Sequence, residues 1–208
     1  MELLLPLVML ALVHTVAVIS PGPTLVLVAQ TAAGKSRATA TAAAGGIAFG
    51  TFVWATSALF GLDLLFQVAP WLYLTIKIAG GVFLLYLAYK LWSSASQPLA
   101  LAATDDAQAQ DDGWRAARTG LWVQLSNPKV AVFFGSIFVA VLPTDRSLVL
   151  SAAAIALVTL IEFSWYALMA AAFAQSRVAS AYGRAKSVVD RACAGVLGAL
   201  GVGVLATR

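Results

Sequence analysis

Apolar residues run through this chain in long, nearly continuous blocks separated by short polar gaps. There is neither the strict alternation of half-buried strands nor the one-sided stripe of soluble helices. The blocks cover residues 3–30, 40–65, 71–92, 119–142, 148–174 and 188–206. A hydrocarbon core about 30 Å thick takes about 20 helical residues to cross, so each block predicts one transmembrane helix. Glu2 precedes the first block and no Lys or Arg does, so an uncleaved first helix is expected there rather than a secretory leader. The longest gap holds Asp105, Asp106, Asp111 and Asp112 among Ser and Gln, the composition of a solvated linker. The predicted plan is all-α: a three-helix unit over 1–92, a cytoplasmic linker over 93–118 and a second three-helix unit over 119–208.

Composition sharpens this picture. The 208 residues are 61% hydrophobic and 11% charged, against roughly a quarter charged in soluble domains, which excludes a soluble fold. The net charge of +4 is no nucleic-acid signal, because the cations sit in the gaps between apolar blocks. Lys35 and Arg37 follow the first span, Lys90, Arg115 and Arg118 flank the gap after the third, and Arg177, Arg184, Lys186 and Arg191 flank the gap after the fifth. The alternate side carries Arg146 and Arg208, so the positive-inside rule places both termini outside. Cys193 is the single cysteine, which rules out an intrachain disulfide or a paired-thiol relay. No cofactor motif is present, and lipid is the expected surrounding partner.

The two units share punctuation. Ser20-Pro21-Gly22-Pro23 interrupts span one and Ser126-Asn127-Pro128-Lys129 interrupts span four; Trp54 in span two matches Trp165 in span five. Lys77 precedes Gly81-Val82 in span three as Arg191 precedes Gly195-Val196 in span six. Three spans per unit is an odd number, so a duplicated unit is inserted upside down, the inverted repeat of many secondary transporters. Proline removes a backbone donor and clashes with the preceding turn, so helices one and four are expected to break. Freed backbone groups are tolerated in lipid only inside protein or along a watery cavity, which points to a site near the midplane where half-helix N-termini meet a carboxylate. The plainer reading is a pair of simple kinks. Gly46 and Gly50, and Gly195, Gly198, Gly201 and Gly203, read as close helix packing, with a homo-oligomer contact as the alternative.

Ionisable residues inside spans cost on the order of 3 kcal/mol each, which marks them as candidates. Lys77, Lys129 and Arg191 stand against Glu162 alone, an excess of positive charge that either snorkels to the headgroups or awaits an anion. A substrate carboxylate fits that need, while Glu162 meets a substrate ammonium, carries a proton or serves as structural glue. Asp63 reads as interfacial. His14, the only histidine, is either a proton relay or a side chain bonded to a neighbouring helix. Trp71, Tyr73, Tyr86, Tyr89 and Trp92 read as interfacial anchors of span three.

Several of these segments, taken in order, resemble the LysE/RhtB family of amino-acid exporters: Ser20 to Pro23, Gly45-Gly46 with Gly50, Leu84 to Trp92, Ser126 to Lys129, and Glu162 followed by Trp165-Tyr166. The resemblance spans nearly the whole chain. It implies a multi-pass protein of the bacterial inner membrane that exports an amino acid or derivative at the expense of the proton-motive force. The helix breaks and the charges inside the spans make Ser20, Pro21, Gly22, Pro23, Ser126, Asn127, Pro128, Lys129, Glu162 and Lys77 the expected substrate-binding residues, with Glu162, His14 and Arg191 as coupling candidates. The resemblance implies an acid near the position of Thr51 in many relatives, so here either Glu162 serves both halves or coupling and substrate preference differ from theirs. A divalent-metal exporter is the rival within transport, but His14, Cys193 and Glu162 stand on separate helices. A membrane enzyme needs a nucleophile and base that the chain lacks, and a non-transporting scaffold needs neither matched breaks nor buried charge.

Overall fold

The computed structural model describes residues 4–68, 72–97, 112–143 and 145–206. Trp71, Arg208 and the linker acids Asp105, Asp106 and Asp111 lie outside the described residues, as do the side chains of Asp63, Tyr73 and Arg177. The helices are α1 (Leu4–Ile19), α2 (Pro23–Gly34), α3 (Arg37–Val68), α4 (Leu72–Ser94), α5 (Gly113–Leu125), α6 (Pro128–Val141), α7 (Leu148–Phe173) and α8 (Ser176–Ala206).

Spans one and four are each two helices. The residue before a proline is pushed out of the helical region, and Gly22 and Asn127 are both extended, with φ −159°, ψ −174° and φ −82°, ψ 107°. Each break turns the chain by 59°. Among the described residues three helical stretches, 37–61, Leu148–Phe173 and Ala181–Ala206, are alone long and apolar enough to cross a membrane. Each bent pair taken as one span brings the number to as many as five. Large apolar side chains point outward along them, among them Leu5, Leu12, Phe49, Ile78, Leu160 and Leu168. An apolar exterior of this kind belongs in lipid.

Two boundaries differ from the sequence reading. Helix α5 begins at Gly113 because Asp112, expected in the linker, caps it: Asp112 Oδ1 accepts from Trp114 N at 2.9 Å and Arg115 N at 3.2 Å. The gap expected after span five is helical instead, since α8 starts at Ser176 and no proline interrupts it before Ala206. That extension changes the charge balance, because it carries Lys186 inside, where it pairs with the completely buried Asp190 at 2.7 Å. Arg191 is exposed instead, its guanidinium 5.9 Å from the Trp92 ring. The expected interior excess of cations is thereby reduced from both sides.

Glycine brings the helices together. A Cβ at Gly46 would collide with the Ala117 carbonyl, one at Gly120 with the Ala43 carbonyl, and one at Gly50 with the Gln124 side chain. Helices α3 and α5 therefore touch backbone to backbone, the close approach that small residues permit in membranes. Gly81 and Gly201 do the same between α4 and α8, against Leu205 and Leu85, whereas a Cβ added at Gly195 or Gly203 would meet open space. The Gly46–Gly50 pair is thus used within the chain.

The apolar interior falls into two clusters. One gathers Leu10, Val13, Ala55, Phe133, Phe134 and Val158; the other gathers Val18, Leu25, Val28, Ile47, Tyr166 and Phe173. Along α3, Thr51 lies between Ile47 of one and Ala55 of the other; along α7, Glu162 lies between Val158 and Tyr166. A buried polar layer separates two greasy ones.

Overpacking a tight contact costs about 1–3 kcal/mol, so Gly120→Ala should lower the melting temperature in detergent while Gly203→Ala leaves it unchanged. Equal melting temperatures for the two variants would contradict the α3–α5 approach.

Candidate functional site

The break in α1–α2 creates an unmet acceptor. In an unbroken helix the Ala17 carbonyl would receive the N–H of residue 21, but that residue is proline. Lys129 of α6 fills the vacancy: its Nζ donates to Ala17 O at 3.0 Å, to Ser20 Oγ at 3.0 Å and to Ser20 O at 3.4 Å. A cation at a helix C-terminus also complements the dipole of α1. The second break is settled locally. Pro128 cannot serve the Gln124 carbonyl, and Asn127 N donates to it at 3.2 Å while the Asn127 side chain accepts from Lys129 N at 3.1 Å. Helix α6 thus has a side-chain cap, whereas α2, entered through Gly22, has none.

Opposite Lys129, α7 presents Glu162, 4% exposed. His14 Nε2 lies 3.1 Å from Glu162 Oε2 and 3.1 Å from Val158 O. Both partners are oxygen acceptors, so Nε2 carries a hydrogen. The imidazole sits against the rings of Phe133 and Phe134, with centroids 5.7 and 5.6 Å away. On the other carboxylate oxygen, Gln124 Nε2 donates to Glu162 Oε1 at 3.0 Å and also to Thr51 Oγ1 at 2.7 Å. Thr24 in the first turn of α2 shares a 2.6 Å hydrogen bond with the Tyr166 hydroxyl of α7.

These groups surround one cavity of about 30 Å³, lined by His14, Gly22, Thr24, Gln124, Asn127, Lys129, Glu162 and Tyr166 together with Ala17, Val18, Val130, Phe133 and Phe134. That volume holds about two water molecules, too little for an amino acid, so the site is closed around its own side chains. Two buried atoms of lining residues, His14 Nδ1 and Gln124 Oε1, have no hydrogen-bond partner. Lys129 and Glu162 line the same space as opposite charges, yet each is held by other groups.

Of the expected residues, the structure gathers His14, Gly22, Asn127, Lys129 and Glu162 on the cavity wall and puts Ser20 in contact with Lys129. Pro21, Pro23 and Pro128 shape the breaks without lining the cavity, and Ser126 is exposed beside it. Lys77 on α4 and Arg191 on α8 stand outside the lining. Sequence reasoning passed over Gln124, Thr24 and the site position of Tyr166. The available signal was a polar amide in the apolar stretch from Gly120 to Leu125.

Apolar helices broken at a buried, charged cavity are the architecture of a membrane transporter. The profile of the LysE type translocator family matches residues 15–208, and the chain belongs to that family. It is 31% identical over 198 residues to a threonine efflux protein of Salmonella typhi, covering 95% of this chain and 96% of that one. The threonine efflux protein of Escherichia coli K12 is 30% identical with the same coverage. An uncharacterized membrane protein of Haemophilus influenzae is 27% identical over 87% of each chain. No solved structure matches the chain.

Gln124→Leu strands Thr51 Oγ1 and Glu162 Oε1 and should cost about 1–3 kcal/mol of stability in detergent unfolding. The double variant with Thr51→Val should cost less than the two singles added together, because they share one bond. Strict additivity would argue against the Gln124–Thr51 hydrogen bond.

Proposed function

We propose that this protein exports a small neutral amino acid across the bacterial inner membrane in exchange for protons. The observation that carries the reading is the pair of opposite charges on one cavity wall, Lys129 and Glu162, each held by groups other than its opposite. An amino acid is a zwitterion and matches both. Its carboxylate takes Lys129 from the α1 carbonyls and caps the open N-terminus of α2. Its ammonium is received by Glu162, with Gln124 Oε1 as a further acceptor. Val130, Phe133 and Phe134 accept the side chain, and Thr24 and Tyr166 offer hydroxyls to a polar one. Glu162 is the only acid among the described residues of the lining, so a second ammonium finds no counter-charge among them. The relatives named as threonine efflux proteins support this substrate class.

Exchange follows from competition. Glu162 holds either an ammonium or a proton, so loading substrate from one side and a proton from the other yields antiport. His14, bonded to the same carboxylate, is the group through which that proton arrives. We further propose that α4 supplies the sixth span, that the two units form an inverted repeat, and that both termini face outward. The equal 59° bends support the repeat and the distribution of Lys and Arg supports the orientation. A divalent-metal exporter is disfavoured by the donor set: among the described residues no three His, Cys, Asp or Glu gather as metal ligands.

The experiment is counterflow of labelled amino acids in proteoliposomes. Threonine and other small neutral amino acids should exchange and lysine should not. Lys129→Met should raise the half-saturating concentration about thirtyfold or more, as expected when a buried charge loses its partner. Arg37→Ala, in the basic gap, should leave it unchanged; the opposite ranking refutes the assignment. For orientation, a reporter fused after Arg208 should be active on the outer side, and activity confined to the cytoplasm would reverse the topology.

A further inference from the structure

Helix α8 carries a second buried charged group, apart from the cavity. Asp190 is 0% exposed and Lys186, one turn earlier, 7%. Lys186 Nζ donates to Asp190 Oδ2 at 2.7 Å and to the Ser94 carbonyl at the end of α4 at 3.2 Å. Tyr182 stands one further turn back, half-buried, with its ring 5.3 Å from Phe173 of α7. The three residues follow one another at four-residue spacing, with exposure falling from Tyr182 to Asp190. None of them lines the substrate cavity.

Two atoms in this stripe lack partners: Asp190 Oδ1 and the Tyr182 hydroxyl, both buried. An ion pair that serves only as glue is stable inside a protein when its remaining lone pairs are bonded. Here one carboxylate oxygen is bare, in the interior of the apolar stretch Ala181–Ala206. Intramembrane ionisable groups of this kind mark proton relays, and a carboxyl that gains and loses a proton at Oδ1 accounts for an oxygen left open. From the exporter reading, on which this step rests, we infer that Asp190 is a proton-carrying carboxylate of the transport cycle, held by Lys186, reached along Tyr182 and separate from the substrate cavity.

The titratable groups around Asp190 are Lys186, Tyr182 and Cys193 on its own helix and Lys129 on α6, on which both Asp190 and Glu162 act electrostatically. Helix α4 adds the Ser94 carbonyl and Lys90, which acts on Lys129 as well. Lys129 therefore feels two carboxylates, one inside the cavity and one outside it. A proton bound at Oδ1 removes the second, strengthens the claim of Lys129 on a substrate carboxylate and loosens the Lys186 link between α8 and the end of α4. The proton departs from the same oxygen, and no other bond changes.

The test separates substrate exchange from proton coupling. Asp190→Asn alone leaves Lys186 buried without a counter-charge, so the measured variant is the double Lys186→Met/Asp190→Asn, which removes both charges together. Tyr182→Phe, lacking only the hydroxyl, accompanies it. Purified proteins in liposomes are assayed with labelled threonine for counterflow without a pH gradient and for uptake driven by one. The double variant should keep counterflow within about twofold of wild type and lose driven uptake by about tenfold or more, the range of a coupling free energy. Tyr182→Phe should slow driven uptake with counterflow unchanged. Driven uptake retained in the double variant overturns the inference and leaves the exporter reading intact. Loss of counterflow together with driven uptake overturns it too, because Asp190 is then structural. Wild-type protein that gives counterflow but no driven uptake removes the coupling Asp190 was to serve, and wild-type protein that gives neither removes the exporter reading itself.

Discussion

A backbone carbonyl deprived of its donor has nowhere to turn in hydrocarbon, and that constraint organises the centre of this protein. Pro21 takes the donor from Ala17, and the replacement comes from the other half of the chain as the ammonium of Lys129. One side chain thereby ties the C-terminus of α1 to the N-terminus of α6 and fixes where the cavity lies. The second break needs no such help, since Asn127 meets the Gln124 carbonyl within its own turn. The two breaks bend the chain equally but differ in how they are closed. One is closed by its own backbone, the other by a charged side chain from the second half of the chain.

The polar layer also explains why the cavity is small. With the Phe133–Phe134 cluster on one side and the Val28–Phe173 cluster on the other, the network of His14, Glu162, Gln124 and Thr51 is sealed from both. Each member is nearly inaccessible. The glycine contacts indicate which pieces move together: α3 and α5 meet through backbone and α4 and α8 interlock through Gly81 and Gly201, so neither pair separates easily.

Much of this was legible in the sequence because its signals are local. Proline in an apolar block dictates a break, and Ser20 to Pro23 and Asn127-Pro128 break where expected. Lys129 and Glu162 stood out because charge is costly in lipid, and both line the cavity. What escaped depended on helix length and rotation. Residues 175–187 looked like a solvated basic gap, and only the continuity of α8 turns Lys186 inward onto Asp190 while turning Arg191 out to Trp92. Gln124 carries no charge and breaks no helix, so nothing in a one-dimensional reading separated it from a packing residue. Its role appears once α5 is laid against α3 and α7. Asp112 reads as linker by its acidic neighbours, although aspartate immediately before a helical run is also a cap.

The charge count of the cavity bears on what the exporter prefers. Among the described residues its walls carry one ammonium, Lys129, and one carboxylate, Glu162. At Thr51 this chain places a hydroxyl, and Gln124 bridges it to Glu162. An added carboxylate there would leave the cavity negative and favour a substrate with a second positive group. With Thr51, a guest bearing equal and opposite charges leaves the site as balanced as it found it, while a guest with an extra cation strands one charge in a space of low dielectric. That penalty for an unpaired buried charge exceeds what a few apolar contacts return. On the proposed reading, a basic amino acid would therefore strand its second positive charge, because Glu162 is the one acid among the described residues of the cavity wall.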